Sequence, residues 1–272
     1  MIDVYMIKAS IPKYSISSIC FSLARIIATI GIFVYHYLVL IGIYPYRLDF
    51  FAILTFCFLS GYFINITKYS RYEWIIKRYL GIMIPYWLVI IPVIIANQIF
   101  QYKTHLSFVD YTLTILGGNM LLSDPLYVIG WYITFVVLLY SYAFMESLFK
   151  SWKKFLIIVL GVFIFFIWLD KGFYFLSFFI GLRLSEWCAV SWSKEGDSFR
   201  RKITRILFVA QRYCYSFFLI HGAVLLFFFR KTDVSAINMF VISFIITILL
   251  SIVFYGTSEK LNIVIANKAL KC

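Results

Sequence analysis

Residues Ser22–Tyr44 read SLARIIATIGIFVYHYLVLIGIY, an apolar run interrupted by one arginine, Arg25, and one histidine, His36. Taken from about Ser18 to Ile43, the run is long enough as a helix to cross a bilayer core of about 30 Å. Eleven residues of α-helix give about 16.5 Å of rise and about 1100° of rotation, so Arg25 and His36 lie roughly 20° from a common face. One stripe of one helix therefore carries a cation near one end and an imidazole further along. A charge at membrane depth costs about 2.5–3.5 kcal/mol on insertion scales, so such residues usually face a bundle interior or a wet cavity. The plainer account is that Arg25 snorkels to the surface and His36 is a satisfied core histidine.

The pattern recurs along the chain. Of its 272 residues, 63% are hydrophobic and 14% charged, against about 45–50% and about 25% in a soluble domain. This predicts an all-α, polytopic transmembrane bundle forming a single domain over residues 1–272. Spans are expected at about 18–43, 50–66, 79–100, 128–149, 155–169, 173–187, 213–229 and 236–256. That makes about eight, and ten at most. Pro85 and Pro92 should kink or break the third span, because each lacks an N–H and crowds the preceding turn. The stretch 101–127 contains SFVDYTLTILGGNMLLSDP and is only mildly apolar. It reads as re-entrant or interfacial rather than as a span. Apolar runs continue to the C-terminus, so the first one is not read as a cleaved signal peptide.

Loop charge sets the orientation. With eight spans and both termini cytoplasmic, most Lys and Arg fall on the inner side, in the N-terminus, loops 67–78, 150–154 and 188–212, and the tail. The outer segments hold only Arg47, Lys103, Lys171, Arg230 and Lys231. This is the positive-inside asymmetry. The net charge of +13 therefore points to membrane lipids as partners and not to nucleic acid. Cys20, Cys57, Cys188, Cys214 and Cys272 are scattered and contain no CxxC, which argues against a disulfide framework. With three histidines and few membrane-depth carboxylates, no metal centre is expected.

Five short patterns, in order, carry a resemblance. They are Arg25 and His36 separated by ten residues, and a phenylalanine-rich run, Phe56 and Phe58, into Ser60-Gly61-Tyr62. Next come a basic approach, Lys77-Arg78, ending in Pro85-Tyr86, and Trp131-Tyr132 with Tyr140 further on. The last is Tyr215-Ser216 followed by Leu219-Ile220-His221. Together they resemble the acyltransferase-3 family of integral membrane O-acyltransferases. The sequence departs from that family at Gly81, where many members carry a second arginine three residues after the one matching Arg78, and in having about eight spans where ten are common. No hydrolase-like extracytoplasmic domain is present, although some members carry one.

The resemblance implies a multi-pass protein of the bacterial inner membrane. It would move an acyl group, in the first instance acetyl, from cytoplasmic acyl-CoA to a hydroxyl of a surface polysaccharide or its lipid-linked precursor. Acetyl-CoA is then a co-substrate, and no bound cofactor is expected. Such a transfer needs a base for the hydroxyl proton, or a nucleophile to carry the acyl group, and donors for the developing oxyanion. Imidazole is the side chain that exchanges protons near neutral pH, which makes His36 the catalytic candidate.

Arg25, Lys77 and Arg78 are the candidates for gripping the anionic donor, since arginine offers phosphate a planar fork. Positive-inside anchoring is their alternative. Ser60 with Gly61 reads as a close helix contact or as site lining. Trp131 and Tyr132 read as an interfacial aromatic pair or as a sugar-stacking surface, and His221 as a core residue or as one near the site. Arg183 and Glu186 are spaced for a local ion pair, and His105 reads as solvated. A non-catalytic exporter of glycan or lipid-linked sugar is the alternative function, and a lipid-modifying acyltransferase is a remoter one.

Overall fold

The computed structural model describes residues 16–64, 70–149, 152–168, 171–187, 198–231 and 235–269. Among these residues the chain is helical, with no strand. The helices are α1 (Ile16–Leu40), α2 (Leu48–Tyr62), α3 (Arg71–Phe100), α4 (Phe108–Ile115), α5 (Trp131–Leu148), α6 (Trp152–Phe163), α7 (Gly172–Trp187), α8 (Ser198–Lys231) and α9 (Ala236–Ala269). Single 3-10 turns lie at Asn119–Leu121 and Val128–Gly130, and α6 ends in a π-turn at Ile164–Trp168. Four stretches are long and apolar enough to cross a membrane: Ile19–Leu40, Arg71–Phe100, Val128–Leu148 and Ala236–Ile265. Leu48–Tyr62, Leu156–Phe166 and Gly172–Ser185 are apolar but shorter.

Two boundaries differ from the sequence reading. The basic stretch 67–78 is not all loop, because α3 starts at Arg71. Ser70 caps it, its hydroxyl accepting the Glu73 N–H at 3.2 Å. Ser-x-x-Glu is a helix-start signal. The helix then runs through both prolines to Phe100, which neighbouring groups make tolerable in membrane helices. The expected basic loop 188–212 is helical from Ser198, continuous with the expected seventh span. Residues 188–197 lie outside the described part, as do Lys8, Lys13, Lys68, Lys150, Lys194, Cys188 and Cys272.

The chain divides into two compact units, one of residues 1–68 and 146–218, the other of 69–145 and 219–272. In the first, α1 and α2 form an antiparallel hairpin. The Cα of Gly31 faces Leu48 and Ala52, while Phe21 stacks near Phe58 and Tyr62. The turn between them uses left-handed backbone at Gly42 and Arg47. α2 and α7 run parallel, since Phe50 meets Tyr174, Ser177 donates to the Leu54 carbonyl at 2.8 Å, and Phe58 lies against Gly181.

Their backbones touch. A Cβ on Gly61 would run into the Phe178 carbonyl and lie 2.9 Å from the Leu182 nitrogen. One on Gly181 would meet the Phe58 carbonyl and lie 2.9 Å from the Tyr62 nitrogen. The first part of α8 runs parallel to α1. Ser22 donates to Gln211 at 3.1 Å, and the Phe33 ring lies tilted against that of Phe217 at 5.7 Å.

In the second unit α9 packs on α3. Ser243, Thr247 and Ser251 are buried at four-residue spacing, and their hydroxyls bond back into their own helix. Such small residues let apolar helices approach closely. The stretch 101–127 does not span. Its helix α4 has 8 residues, about 12 Å of rise.

Polar groups tie that stretch to α3 and α5. The Tyr86 hydroxyl donates to the Thr114 carbonyl at 2.6 Å and accepts from the Asn119 amide at 2.7 Å. Trp87 donates to the Ile115 carbonyl at 2.8 Å. The Thr134 hydroxyl donates to Gly117 and accepts from the Met120 N–H. Asn97 exchanges bonds with the Lys103 backbone. Phe108, Val109, Leu116 and Leu121 stay exposed, as suits a segment lying against lipid.

Three measurements check this architecture. Gly61→Leu should lower the melting temperature of detergent-purified protein by several degrees, as overpacking by about 1–3 kcal/mol would. Gly81→Ala, where a Cβ meets nothing within 4 Å, should not lower it. Equal melting of Gly61→Leu and wild type would refute the α2–α7 contact.

Tyr86→Phe strands the buried Asn119 amide at about 1–3 kcal/mol, while the Thr114 carbonyl keeps the Gly117 N–H. The variant should speed proteolysis within 101–127, and an unchanged digest counts against the pin.

The α4 capping box predicts a pH dependence. Bonds from the Ser107 N–H and hydroxyl hold the Asp110 carboxyl below its ordinary range. A depressed carboxylate stabilises fully above its unfolded value of about 3.9, and the effect fades as pH falls through that value toward the lower folded one. Amide protection factors over 108–115 should therefore be flat above pH 4 and decline below it. In Asp110→Asn they should be lower and lose that step.

Candidate functional site

The stripe of α1 that carries Arg25 and His36 is the stripe that faces α8, through Ser22 and Phe33. Arg25 is half-buried, its guanidinium 5.5 Å from the centre of the Phe63 ring at the end of α2. It also acts through its charge on Cys214 of α8. Among the described residues no carboxylate forms an ion pair with it. An arginine held at a junction of three helices does not behave as a surface anchor. Its position leaves the guanidinium fork for an anion.

His36 is half-buried near the other end of the stripe, its ring edge-on to Tyr35 at 5.3 Å. The carboxylate of Asp49, in the first turn of α2, acts through its charge on His36 and Tyr35 and on Tyr174 of α7. Asp49 follows His36 by 13 residues in the sequence, and the hairpin fold brings it back. Ser60 is half-buried on α2, next to Gly61, which takes the close contact with α7.

The Glu186 side chain, expected to pair locally with Arg183, lies outside the described residues. Arg183 pairs with Glu146 from the end of α5, and it stacks over Phe179 at 4.7 Å. Glu146 is 3% exposed. A carboxylate that deep needs a cation.

The remaining candidates belong to the second unit. Lys77 pairs with Glu73 one turn earlier on α3. Arg78 lies over two rings, 6.0 Å from that of Trp74 and 5.4 Å from that of Tyr140. Trp74 is 1% exposed and meets Tyr140 edge-on. The Arg78 charge is thus packed onto aromatic faces inside its unit, an arrangement that favours a guanidinium. Trp131 opens α5 and packs on Phe135, and Tyr132 beside it is buried.

His221 is fully buried on α8. Its neighbour Gly222 leaves room for Ile129 and for the Tyr127 hydroxyl, which donates to the Leu219 carbonyl. Arg25, His36 and Ser60 therefore share one unit, and Lys77, Arg78, Trp131, Tyr132 and His221 share the other. His105 is exposed.

Chemically, the first unit offers a proton acceptor with a carboxylate and phenols at one end of a stripe. It offers an acid-free guanidinium about 16.5 Å away along the same helix. Among the described residues no group of three or more His, Cys, Asp or Glu could hold a metal ion. No family model, curated protein or solved structure matches the chain.

Proposed function

We propose that this chain is a membrane O-acyltransferase of the bacterial inner membrane. It would pass an acetyl group from cytoplasmic acetyl-CoA to a hydroxyl of a surface polysaccharide or of its lipid-linked precursor. The observation that carries the reading is the Arg25–His36 stripe turned toward α8, with Asp49 at its imidazole end. Arg25 grips the anionic donor. His36 takes the acceptor hydroxyl proton while the oxygen attacks the thioester carbonyl. The C–S bond breaks, and the leaving thiolate receives that proton.

The parallel helix pairs fit a reading of eight spans, and the loop charge puts both termini on the cytoplasmic side. Helices that run parallel in a membrane cross in the same direction, so an odd number of crossings separates them. Between α2 and α7 lie α3, α5 and α6. Counting 107–122 as a further crossing would make α2 and α7 antiparallel, contrary to their contacts.

Gly81 favours one second reading, an exporter of the same glycan that performs no chemistry. Gly81 is exposed, with open space where a side chain would project.

The test compares cells making wild type or His36→Ala at matched membrane levels, with O-acetyl groups on the surface glycan counted by NMR. Acetylation should fall about 10²-fold or more in the variant, the usual contribution of a general base. Equal acetylation in both would sink the transferase role of His36. Loss of the glycan itself in a deletion strain would favour export.

A further inference from the structure

We propose that Asp49 is the positioning residue for His36: from the first turn of α2 its carboxylate stands opposite the imidazole that takes up the acceptor's proton, and Tyr35 and Tyr174 complete the polar group that receives the hydroxyl. This rests on the transferase reading.

The placement follows from the two helix contacts that flank Asp49. A Cβ on Gly31 of α1 would lie 3.8 Å from the Leu48 side chain and 3.9 Å from that of Ala52, one turn on, so both face Gly31. Tyr35 stands one turn beyond Gly31, with His36 next to it. On the other side Phe50 meets the rings of Phe173 and Tyr174 of α7 at 6.1 and 5.5 Å. Asp49 lies between Leu48 and Phe50, in the seam where α1, α2 and α7 come together. It is half-buried there, and its charge acts on Tyr35, His36 and Tyr174. An acidic residue in a first turn also suits the helix dipole. That role alone would be met by an exposed carboxylate and would not need this seam.

The chemistry uses the carboxylate at one moment. When the acceptor O–H proton passes to a His36 ring nitrogen, a cation forms among apolar side chains, where an opposite charge counts for more than in water. Asp49 neither gains nor loses a proton. The hydroxyl oxygen bonds to the carbonyl carbon, the C–S bond of the thioester breaks, and the proton moves on to the thiolate.

Among the described residues Asp49 of α2 acts through its charge on His36, and Tyr35 lies beside the ring; Tyr44 from the link acts on Tyr35, and Asp49, Cys57 and Tyr35 act on Tyr174 of α7. On α8, alongside, the nearest placed thiol is Cys214, lower down against Thr29.

The test does not need an acceptor. With three histidines in the chain, protein selectively labelled with 15N-histidine in micelles gives few ring signals. Those of His36 are identified by their loss in His36→Gln. In Asp49→Asn the titration midpoint of His36 should move by about half a pH unit or more, while that of His105 stays. Asp49→Glu, which keeps the charge, should remain near wild type. Asp49→Ser serves as a second neutral variant should the first not fold.

In proteoliposomes given acetyl-CoA and an acceptor glycan, Asp49→Asn should lower kcat about tenfold or more with the donor KM unchanged, and Asp49→Glu should recover part of the loss. An unmoved His36 midpoint in natively folded Asp49→Asn overturns the proposal, whatever the transfer assay gives. A moved midpoint in a protein that transfers no acetyl group supports the Asp49–His36 pairing and overturns the transferase reading.

Discussion

The contact on which the first unit depends is the crossing of α2 and α7 at Gly61 and Gly181, where each glycine lies on the other helix's backbone. Between membrane helices there is little hydrophobic drive, and association comes from close packing and polar links. Two glycines in reciprocal positions supply the packing, and the Ser177 bond to the Leu54 carbonyl adds a link two turns away. This crossing fixes the register of α7 against α2. The register in turn brings Phe50 to Tyr174 and sets Asp49 in the seam beside α1. A shift of α7 by one residue would turn Tyr174 away. The polar group around His36 is thus a consequence of a glycine contact about two turns distant.

The second unit is held differently. Polar groups on α3 and α5 close the backbone bonds of a segment too short to cross. Tyr86 follows Pro85 in a motif that suggested chemistry, and its hydroxyl is engaged with Thr114 and Asn119. Gly130 is needed because any side chain there would strike Asn119. Non-helical backbone at membrane depth is tolerated when its polar groups are satisfied within the protein, and these bonds satisfy them.

Charges follow the same logic in both units. Arg183 is matched by buried Glu146, Lys77 by Glu73, and Arg78 rests on Trp74 and Tyr140. Arg25 and Arg212 each lie over an aromatic ring, Phe63 and Phe208, with no ion pair to either among the described residues. A cation is costly to place within a bundle.

Composition and hydrophobic run length settle that the chain is helical and apolar enough to cross a membrane. These depend only on which residues are adjacent in sequence. The helical period alone put Arg25 and His36 on one stripe, and the shortness of 107–122 marked it as no span. The start of α3, at Arg71 within a stretch read as loop, was settled by the Ser70 cap only in the structure. What lay beyond the sequence were the pairings between distant segments. Arg183 meets Glu146, 37 residues earlier in the chain, because a carboxylate buried that deeply needs a cation. Asp49 reads as a link residue and becomes the neighbour of His36 only when the hairpin closes and α7 docks. Local period and length act within one helix and can be read from the chain. Which faces meet is decided by close packing among all the helices, where a single glycine sets the register, and only the tertiary structure carries that.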